Sequence, residues 1–421
     1  MPTENQQKGK GREFNPHSGL PSNSSNLLIQ LTEDVHTDIL KMFIRFDMYN
    51  QFKGSTNCYS MQSSPVYLKR SDIKTAFENK QDAISFMKNF QNEHELLEYH
   101  QSKTTTESRN AVKYLLHLKE IAVINRINSL AQIKDAGSGH PGGSLSETEI
   151  LLVLYEIMRH KPADSDWMER DRFVMSKGHA TPGLYAQLAM CGYFDHVSCS
   201  FGSEILSGFD LLRTFRKDDG YLPGHVKVGV AGIDASTGSL GTGLSIANAF
   251  AYVMKKEMPE ATAFVLMGDG ELQEGQITEA CTFSSHYNLG NVIAIIDNNG
   301  VQNDFETHMT KNINPIGDKF RAAGWEVISG GMKWEERQTP FRNGHDIVFL
   351  INALVRAKEI GREKNVPVVI VADTDKGHGV SFMVEGKGEW HGKAPNDELY
   401  DKAMAELQES LRMVRELYAK I

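Results

Sequence analysis

The chain has 421 residues, 40% of them apolar and 24% charged, a balance typical of a soluble globular protein with room for one large or two ordinary domains. Its net charge of −9 argues against a general nucleic-acid binder, which presents a basic face, but leaves room for small phosphorylated ligands, where local charge decides. No apolar run approaches the ~18 residues of a membrane span.

Residues 1–25 are rich in Gly, Ser, Asn, Gln and Pro and read as a flexible tail. They lack the apolar core of a secretory leader, so a cytoplasmic protein is expected. Residues 26–106 mix apolar and polar patches, such as "DILKMFIRFDMYNQF" and "DAISFMKNFQNEHELLEYH". They are expected to form a mostly helical N-terminal extension, without a motif that reveals its role. From residue 107 the texture changes. "AVKYLLHLKEIAVINRINSLAQI" places Val112, Leu115, Leu116, Ile121, Ile124, Ile127 and Leu130 at helical spacing, and the helix should stop before Gly137.

Downstream, "TAFVLM" (262–267), "NVIAIID" (291–297) and "VPVVIVAD" (366–373) read as strands. "ELQEGQITEACTFSSHY" and "DIVFLINALVRAKEIGREK" read as the helices between them. Continuous apolar strands separated by helices predict an α/β domain over 107–421: a doubly wound, mostly parallel sheet with helices on both faces. Ligands of such sheets bind beyond the carboxyl ends of the strands. The insertion "GGMKWEERQTPFRN" (330–343) carries no assignable role. Cys58, Cys191, Cys199 and Cys281 are too widely spaced for a zinc or redox motif and are expected to be free thiols.

Two strand ends carry chemistry. "GDG" (268–270) closes one strand and "DNNGV" (297–301) the next, so a strand–helix–strand unit sets the two turns side by side. Asp269, the Asn299 side chain and the Val301 carbonyl would then offer three hard oxygens, a donor set suited to magnesium completed by phosphate and water. Gly268 and Gly270 let backbone approach a diphosphate, and the helix that follows favours negative charge. Either turn alone could equally be a solvated loop.

Four of the fifteen histidines sit among glycines: His140 in "GSGHPGGSLS", His179 in "SKGHATPGLY", His225 in "PGHV" and His391 in "GEWHGKAP". Such positions suit donation to a phosphate or a sugar hydroxyl better than core packing. A zinc site of three histidines is the competing reading, although no short helical His pair is present. "GIDASTGSLGTG" (232–243) is phosphate-loop-like but lacks the GK[ST] ending, so nucleotide hydrolysis is not supported.

Taken together, "SGHPGGSLS", "SKGHATPGLY", "STGSLGTG", "GDGELQEGQ…NNG" and "HGKAPND" resemble, in order and spacing, the diphosphate-binding half of the transketolase family of thiamine diphosphate enzymes. The resemblance covers residues 107–400, and the extension 1–106 has no counterpart in it. It implies thiamine diphosphate and a divalent cation (Mg2+, or Ca2+ or Mn2+) as cofactors, with Asp269, Asn299 and the Val301 carbonyl as metal ligands. It implies that Gly238, Leu240, Gly270, Asn299, His179 and His391 contact the cofactor. His140, His225 and His391 would act at the reacting centre, the first two on the donor sugar's hydroxyls. Glu274 would lie at a subunit interface and communicate between paired sites.

The chain is expected to lack the pyrimidine-binding and C-terminal domains, like the N-terminal subunit of a split transketolase. A separate C-terminal, pyrimidine-binding subunit is therefore the implied partner, two copies of each chain. The implied substrates are sugar phosphates of carbohydrate metabolism, as in the pentose phosphate route, with a two-carbon ketol unit passing from a ketose to an aldehyde. Three rival readings stay open. They are the α subunit of a 2-oxo acid dehydrogenase, a two-carbon transferase using a sulfosugar or carrier-bound acceptor, and a regulatory subunit that kept the fold.

Overall fold

The computed structural model describes residues 64–303, 305–332 and 341–421. The tail 1–25, Cys58, much of the 26–106 extension and most of the 330–343 insertion lie outside the described residues. Among the described residues, five α-helices come first: α1 (Lys80–Met87), α2 (Glu93–Ser102), α3 (Thr106–Ala136), α4 (Pro141–Ser146) and α5 (Thr148–Ile157). Strand β1 (Arg172–Met175), helix α6 (Thr181–Cys191) and the hairpin β2 (Ser198–Phe201) and β3 (Glu204–Ser207) follow. Next are α7 (Gly243–Glu257), β4 (Ala263–Gly268), α8 (Gly275–His286), β5 (Val292–Asn298), α9 (Thr307–Thr310), α10 (Ile316–Ala322) and β6 (Glu326–Ile328). The chain closes with α11 (Ile347–Lys364), β7 (Val368–Asp373), α12 (Ser381–Gly386) and α13 (Asp397–Lys420).

Strands β1-β4-β5-β7-β6 form one sheet in that order, every neighbour parallel. The strands are apolar throughout because both faces are covered. Phe264, Leu266, Ile293, Ile295, Val368 and Ile370 point into a core shared with α3, α5, α11 and α13. The alternate residues Val265, Met267, Ala294, Ile296, Val369 and Val371 meet Leu244, Ala247, Ile277 and Phe320 from α7, α8 and α10. One period-2 pattern thus feeds two cores, which is the doubly wound architecture the sequence predicts.

Helix α3 is the axle of the larger core. Thr105 and Ser108 form a reciprocal cap at its start, Ser108 N–H donating to Thr105 Oγ1 at 3.1 Å and Thr105 N–H to Ser108 Oγ at 2.9 Å. Gly137, at φ 63°, ends it in the left-handed region. Its 31 residues span about 46 Å and pack against α1, α6 and α13. The described part of the N-terminal extension shares this core: Ala83, Ile84, Met87, Leu96 and Leu97 are buried in it. Polar ties reinforce the contact. Glu93 takes the Ile347 N–H at 2.7 Å and pairs with Lys119 at 2.8 Å, while Glu93 N–H donates to Asp346 at 2.9 Å.

One expected element is shorter than its pattern suggests. The segment after "GDG" makes a single tight turn over Gly270–Gln273, and Glu274 is extended before α8 begins at Gly275. Strand β1, the hairpin, β6 and α13 carry no prediction from the sequence. Cys191, Cys199 and Cys281 are free; the first two are half-buried, and burial pushes the Cys281 thiol up to about 12. Among the described residues, no helix is long and apolar enough to cross a membrane.

Among the described glycines, the least room for a Cβ lies where α11 crosses the turn before β5. A Cβ on Gly361 would lie 2.0 Å from the Gly290 carbonyl oxygen. Alanine ordinarily stabilises a helix interior relative to glycine by about 1 kcal/mol. Gly361→Ala should invert that sign and destabilise by about 1–3 kcal/mol through overpacking. A drop in the urea midpoint checks it; a rise means the two elements have room to part.

Candidate active site

The register of the sheet places the two acidic turns together. Gly268 pairs with Asp297, so Asp269 leaves β4 beside the end of β5. The Asp269 carboxylate reaches across: its Oδ2 accepts from Gly300 N–H at 3.0 Å and from Thr307 Oγ1 at 2.8 Å. Asn299 turns its Oδ1 back to the Val301 N–H (3.0 Å) and donates from Nδ2 to Asp297 (3.3 Å). The Val301 carbonyl accepts from Lys376 Nζ at 3.1 Å. All three candidate ligand residues are buried. A carboxylate, an amide oxygen and a carbonyl on adjoining turns are a hard-oxygen donor set, the chemistry magnesium, calcium or manganese requires. Glycine at 270 lets the two turns close on each other, since a Cβ there would fall 2.9 Å from the Gln302 Cβ. The residues present therefore fit a divalent cation and a diphosphate.

A buried ionic cluster underlies the turns. Lys177, two residues beyond β1, pairs with Asp297 and contacts Glu147 at 2.8 Å. Ser146 donates to Asp297 at 2.6 Å, and Thr374 donates to its other oxygen. Burial would raise the Asp297 carboxyl, but Lys177 and these hydrogen bonds outweigh it and hold the group below its usual range. Glu147 goes the other way: burial pushes it up to about 8 despite Lys177. The 2.8 Å spacing to Lys177 has ion-pair geometry, while burial works against the charged form of Glu147. Glu271 ties three loops together, accepting from Ser176 after β1, from Gly241 N–H at 2.9 Å and from Gly268 N–H at 3.3 Å. Burial raises its carboxyl.

The four glycine-flanked histidines converge over this floor. Ring centroids lie 5.0 Å apart for His140–His179 and His179–His391, 5.5 Å for His140–His391 and 6.4 Å for His140–His225. Burial first, and nearby cations second, hold every one of them neutral. His140 is pushed down to about 4 by burial and Arg216, and His391 to about 3 by burial and Lys376. His179 is lowered well below its ordinary value by burial and Lys177, and His225 by burial and Arg216. Lys376 Nζ joins the histidines to the acidic turns, touching His391 Nδ1 at 2.8 Å as well as the carbonyls of Val301 and Gln302.

Gly238 abuts His225, and Leu240, two residues on, is exposed. Glu274 is exposed at the start of α8, behind the Gly241 turn, outside the histidine group. Four polar residues of the site went unremarked in the sequence: Lys177, Lys376, Arg216 and Thr307. The two lysines share a local pattern, two and three residues past a strand end and ahead of Gly-His, "SKGH" and "DKGH", which by itself does not tell a buried lysine from a surface one. His378, in the same kind of loop, goes elsewhere. It stacks on His345 at 3.6 Å, beside Glu149. That acid–histidine group is filled by Arg126, which grips both Glu149 oxygens at 2.7 and 2.6 Å.

Comparison with known proteins agrees with the geometry. The family described as "Transketolase, thiamine diphosphate binding domain" matches residues 118–413. A 6-deoxy-6-sulfo-D-fructose transketolase subunit of Clostridium sp. (strain MSTE9) is 37% identical over 295 residues, 70% of this chain and 97% of that one. One subunit of the apulose-4-phosphate transketolase of Actinobacillus succinogenes is 36% identical over 299 residues, covering 70% and 96%. Transketolase of Homo sapiens is 35% identical over 72% of this chain, which spans only 42% of that protein. Among solved structures, transketolase from Leishmania mexicana superposes with a TM-score of 0.59 at 28% identity, over 72% of this chain and 44% of that one.

Proposed function

Because the chain belongs to the transketolase family, through its thiamine diphosphate-binding domain, we propose that it is the diphosphate-binding subunit of a thiamine diphosphate- and magnesium-dependent transketolase. The observation that carries this reading is the meeting of two acidic strand-end turns with four neutral histidines through one lysine. When bound, thiamine diphosphate supplies the nucleophilic thiazolium carbon and the electron sink for a two-carbon ketol unit.

This chain's residues would do the rest. Asp269, Asn299 and the Val301 carbonyl would hold the cation. Lys376, Gly270 and the loop carrying Gly238 and Leu240 would hold the diphosphate, with His179 and His391 beside it. The positive charge of Lys376 and Lys177 favours the anionic tail. His140, His225 and His391 would meet the donor sugar's hydroxyls as neutral rings and fix them by hydrogen bonds. Bulk water is limited by burial of the floor, not of the mouth, where His225 and Leu240 are open.

Two relatives are named for sugars with an anionic group, a sulfonate in one and a phosphate in the other. A ketose of that class is the proposed donor and an aldehyde the acceptor, in cytoplasmic carbohydrate metabolism such as the pentose phosphate route. Those relatives are named as subunits, and this chain spans nearly their whole length, which supports a separate pyrimidine-binding partner chain. Pairing into two copies of each has a candidate face on α7 and the C-terminal end of α8, at the opposite end of α8 from Glu274. There Tyr252, Phe283 and Tyr287 are exposed, yet cluster with centroids 4.5 to 6.3 Å apart.

The purified chain alone is expected to show no ketol transfer. Addition of its pyrimidine-binding partner, thiamine diphosphate and magnesium should produce turnover of a phosphorylated or sulfonated ketose with an aldehyde. Robust transfer by this chain alone overturns the split reading; turnover of pyruvate with lipoamide instead of the ketose returns the dehydrogenase reading.

A further inference from the structure

Arg216 stands out among the cations of the molecule. Its backbone occupies the left-handed region at φ 56°, a placement that costs a side-chain-bearing residue about 1–2 kcal/mol. The turn that imposes this is well tied. Arg216 N–H donates to the Leu222 carbonyl at 2.9 Å, and the next residue, Lys217, pairs with Asp135 at 3.5 Å at the end of α3. Neighbouring arginines have carboxylate partners: Arg70 with Asp195, Arg170 with Asp234, Arg213 with Glu204. Arg216 instead sends Nη1 to Ser138 Oγ at 3.2 Å and Nη2 to His140 Nδ1 at 3.4 Å. Space for the guanidinium is left by Gly224, where a Cβ would lie 2.5 Å from Arg216 Nε.

A guanidinium has only donors. The ring nitrogen it meets must therefore be the unprotonated one, so the His140 proton resides on Nε2. That edge faces Gly392, whose Cβ position is 3.6 Å from Nε2, directly beside His391. The same logic repeats at His391, where the Lys376 ammonium meets Nδ1 at 2.8 Å. The groups facing His140 from every side are Arg216 and His225 on the 214–225 segment, His179 after β1, Lys376 after β7, and His391. None of these is acidic, and the His179 backbone, which favours imidazolium, is outweighed by burial.

We propose that Arg216 is a positioning residue for the transfer reaction, holding His140 as the neutral Nε2–H tautomer so that one fixed N–H is presented to the substrate. This rests on the functional reading above for the word "substrate" alone; the tautomer is a property of the free chain. Long-range proton–nitrogen NMR of the full chain, without partner or cofactor, reads it directly. The wild type should show His140 protonated on Nε2 and uncharged down to about pH 4. In Arg216→Ala the tautomers should mix and the titration midpoint rise by about one pH unit or more, toward the ordinary histidine value. Gly224→Ala, which pushes the guanidinium away without deleting it, should mix the tautomers too, guarding against a variant that merely misfolds.

In the complex with the partner chain, Arg216→Ala should lower kcat by about 10–100-fold with KM little changed. The acid limb of its pH profile should move up, and added guanidinium ion should restore part of the rate. An Nδ1–H signal in the wild type, or an unchanged tautomer and titration in both variants, overturns the proposal. So does an unaltered kcat in the complex. A wild-type complex with no ketol transfer while the NMR result holds overturns the functional reading instead, so the two failures are distinguishable.

Discussion

Asp269→Asn should abolish magnesium-dependent binding of thiamine diphosphate while leaving the fold in place. Asparagine keeps an oxygen that can accept from Gly300 N–H and Thr307, the two contacts that tie this side chain across the turns. What it loses is the negative charge, and a hard divalent cation depends on an anionic oxygen to offset its dehydration. Changes in the outer shell of a metal site commonly weaken binding by 10–100-fold, so loss of a direct ligand charge is expected to cost at least about 100-fold. Unfolding experiments report it without any assay of turnover. With coenzyme and magnesium at about one hundred times Kd, the wild type should gain about 2.7 kcal/mol. The variant should gain nothing measurable, and its stability without ligand should stay within about 1 kcal/mol of wild type. Equal stabilisation of both proteins by the coenzyme–magnesium pair would remove the metal site from these two turns.

Lys177→Met should produce the larger structural effect. Asp297 is fully buried at 0% exposure, and among the described residues Lys177 is its only cationic partner. Removing one member of a buried pair leaves an uncompensated charge, at about 3–5 kcal/mol. Ser146 and Thr374 still donate to Asp297, which places the expected value near the lower end. The pH dependence gives a second check. In the wild type Asp297 titrates below its unfolded value, so its stabilisation is present above the unfolded carboxylate range and is lost only as pH falls through the lower, folded one. In the variant burial is opposed only by the remaining hydrogen bonds and raises the group. The deficit should then be largest at neutral pH and shrink on acidification, as Asp297 takes up a proton. Adding Asp297→Asn should recover much of the loss, since it removes the unpaired charge. Denaturant titrations at neutral and mildly acidic pH measure all three; a Lys177→Met loss under about 1 kcal/mol would mean that water reaches the pair.

Legibility of this protein from sequence followed the strength of local signals. Strands β4, β5 and β7 are apolar runs bounded by glycine, asparagine or proline, and α3 and α11 carry long helical periods with clear ends. Strand β1, "RFVM", is four residues behind a charged loop, and becomes a strand because β4 offers it backbone partners. Helix α13 does show apolar residues at helical spacing, from Tyr400 through Leu407 to Leu417; with no motif nearby it drew no prediction. The early helix after "GDG" fails for a tertiary reason. Glu271 spends its carboxylate on Ser176, Gly241 and Gly268 rather than on a helical turn. In the site, histidines among glycines were readable because that setting is wrong for a core. Lys177 was not, because a lysine next to a strand reads as surface until the acid that buries it, 120 positions away, is brought alongside.

Residues 64–102 and the end of α13 pack into the same core as α3, α5 and α11, yet the family match runs only from 118 to 413. Its first position falls inside α3, whose far end delivers Ser138 and His140 to the site. The portion shared with other transketolases and the portion that packs as one core here therefore have different edges. A fragment trimmed to the shared portion would begin in mid-helix and bare the apolar seam that α1 and α2 cover. Its loss of activity would then report a broken scaffold and carry no news about chemistry.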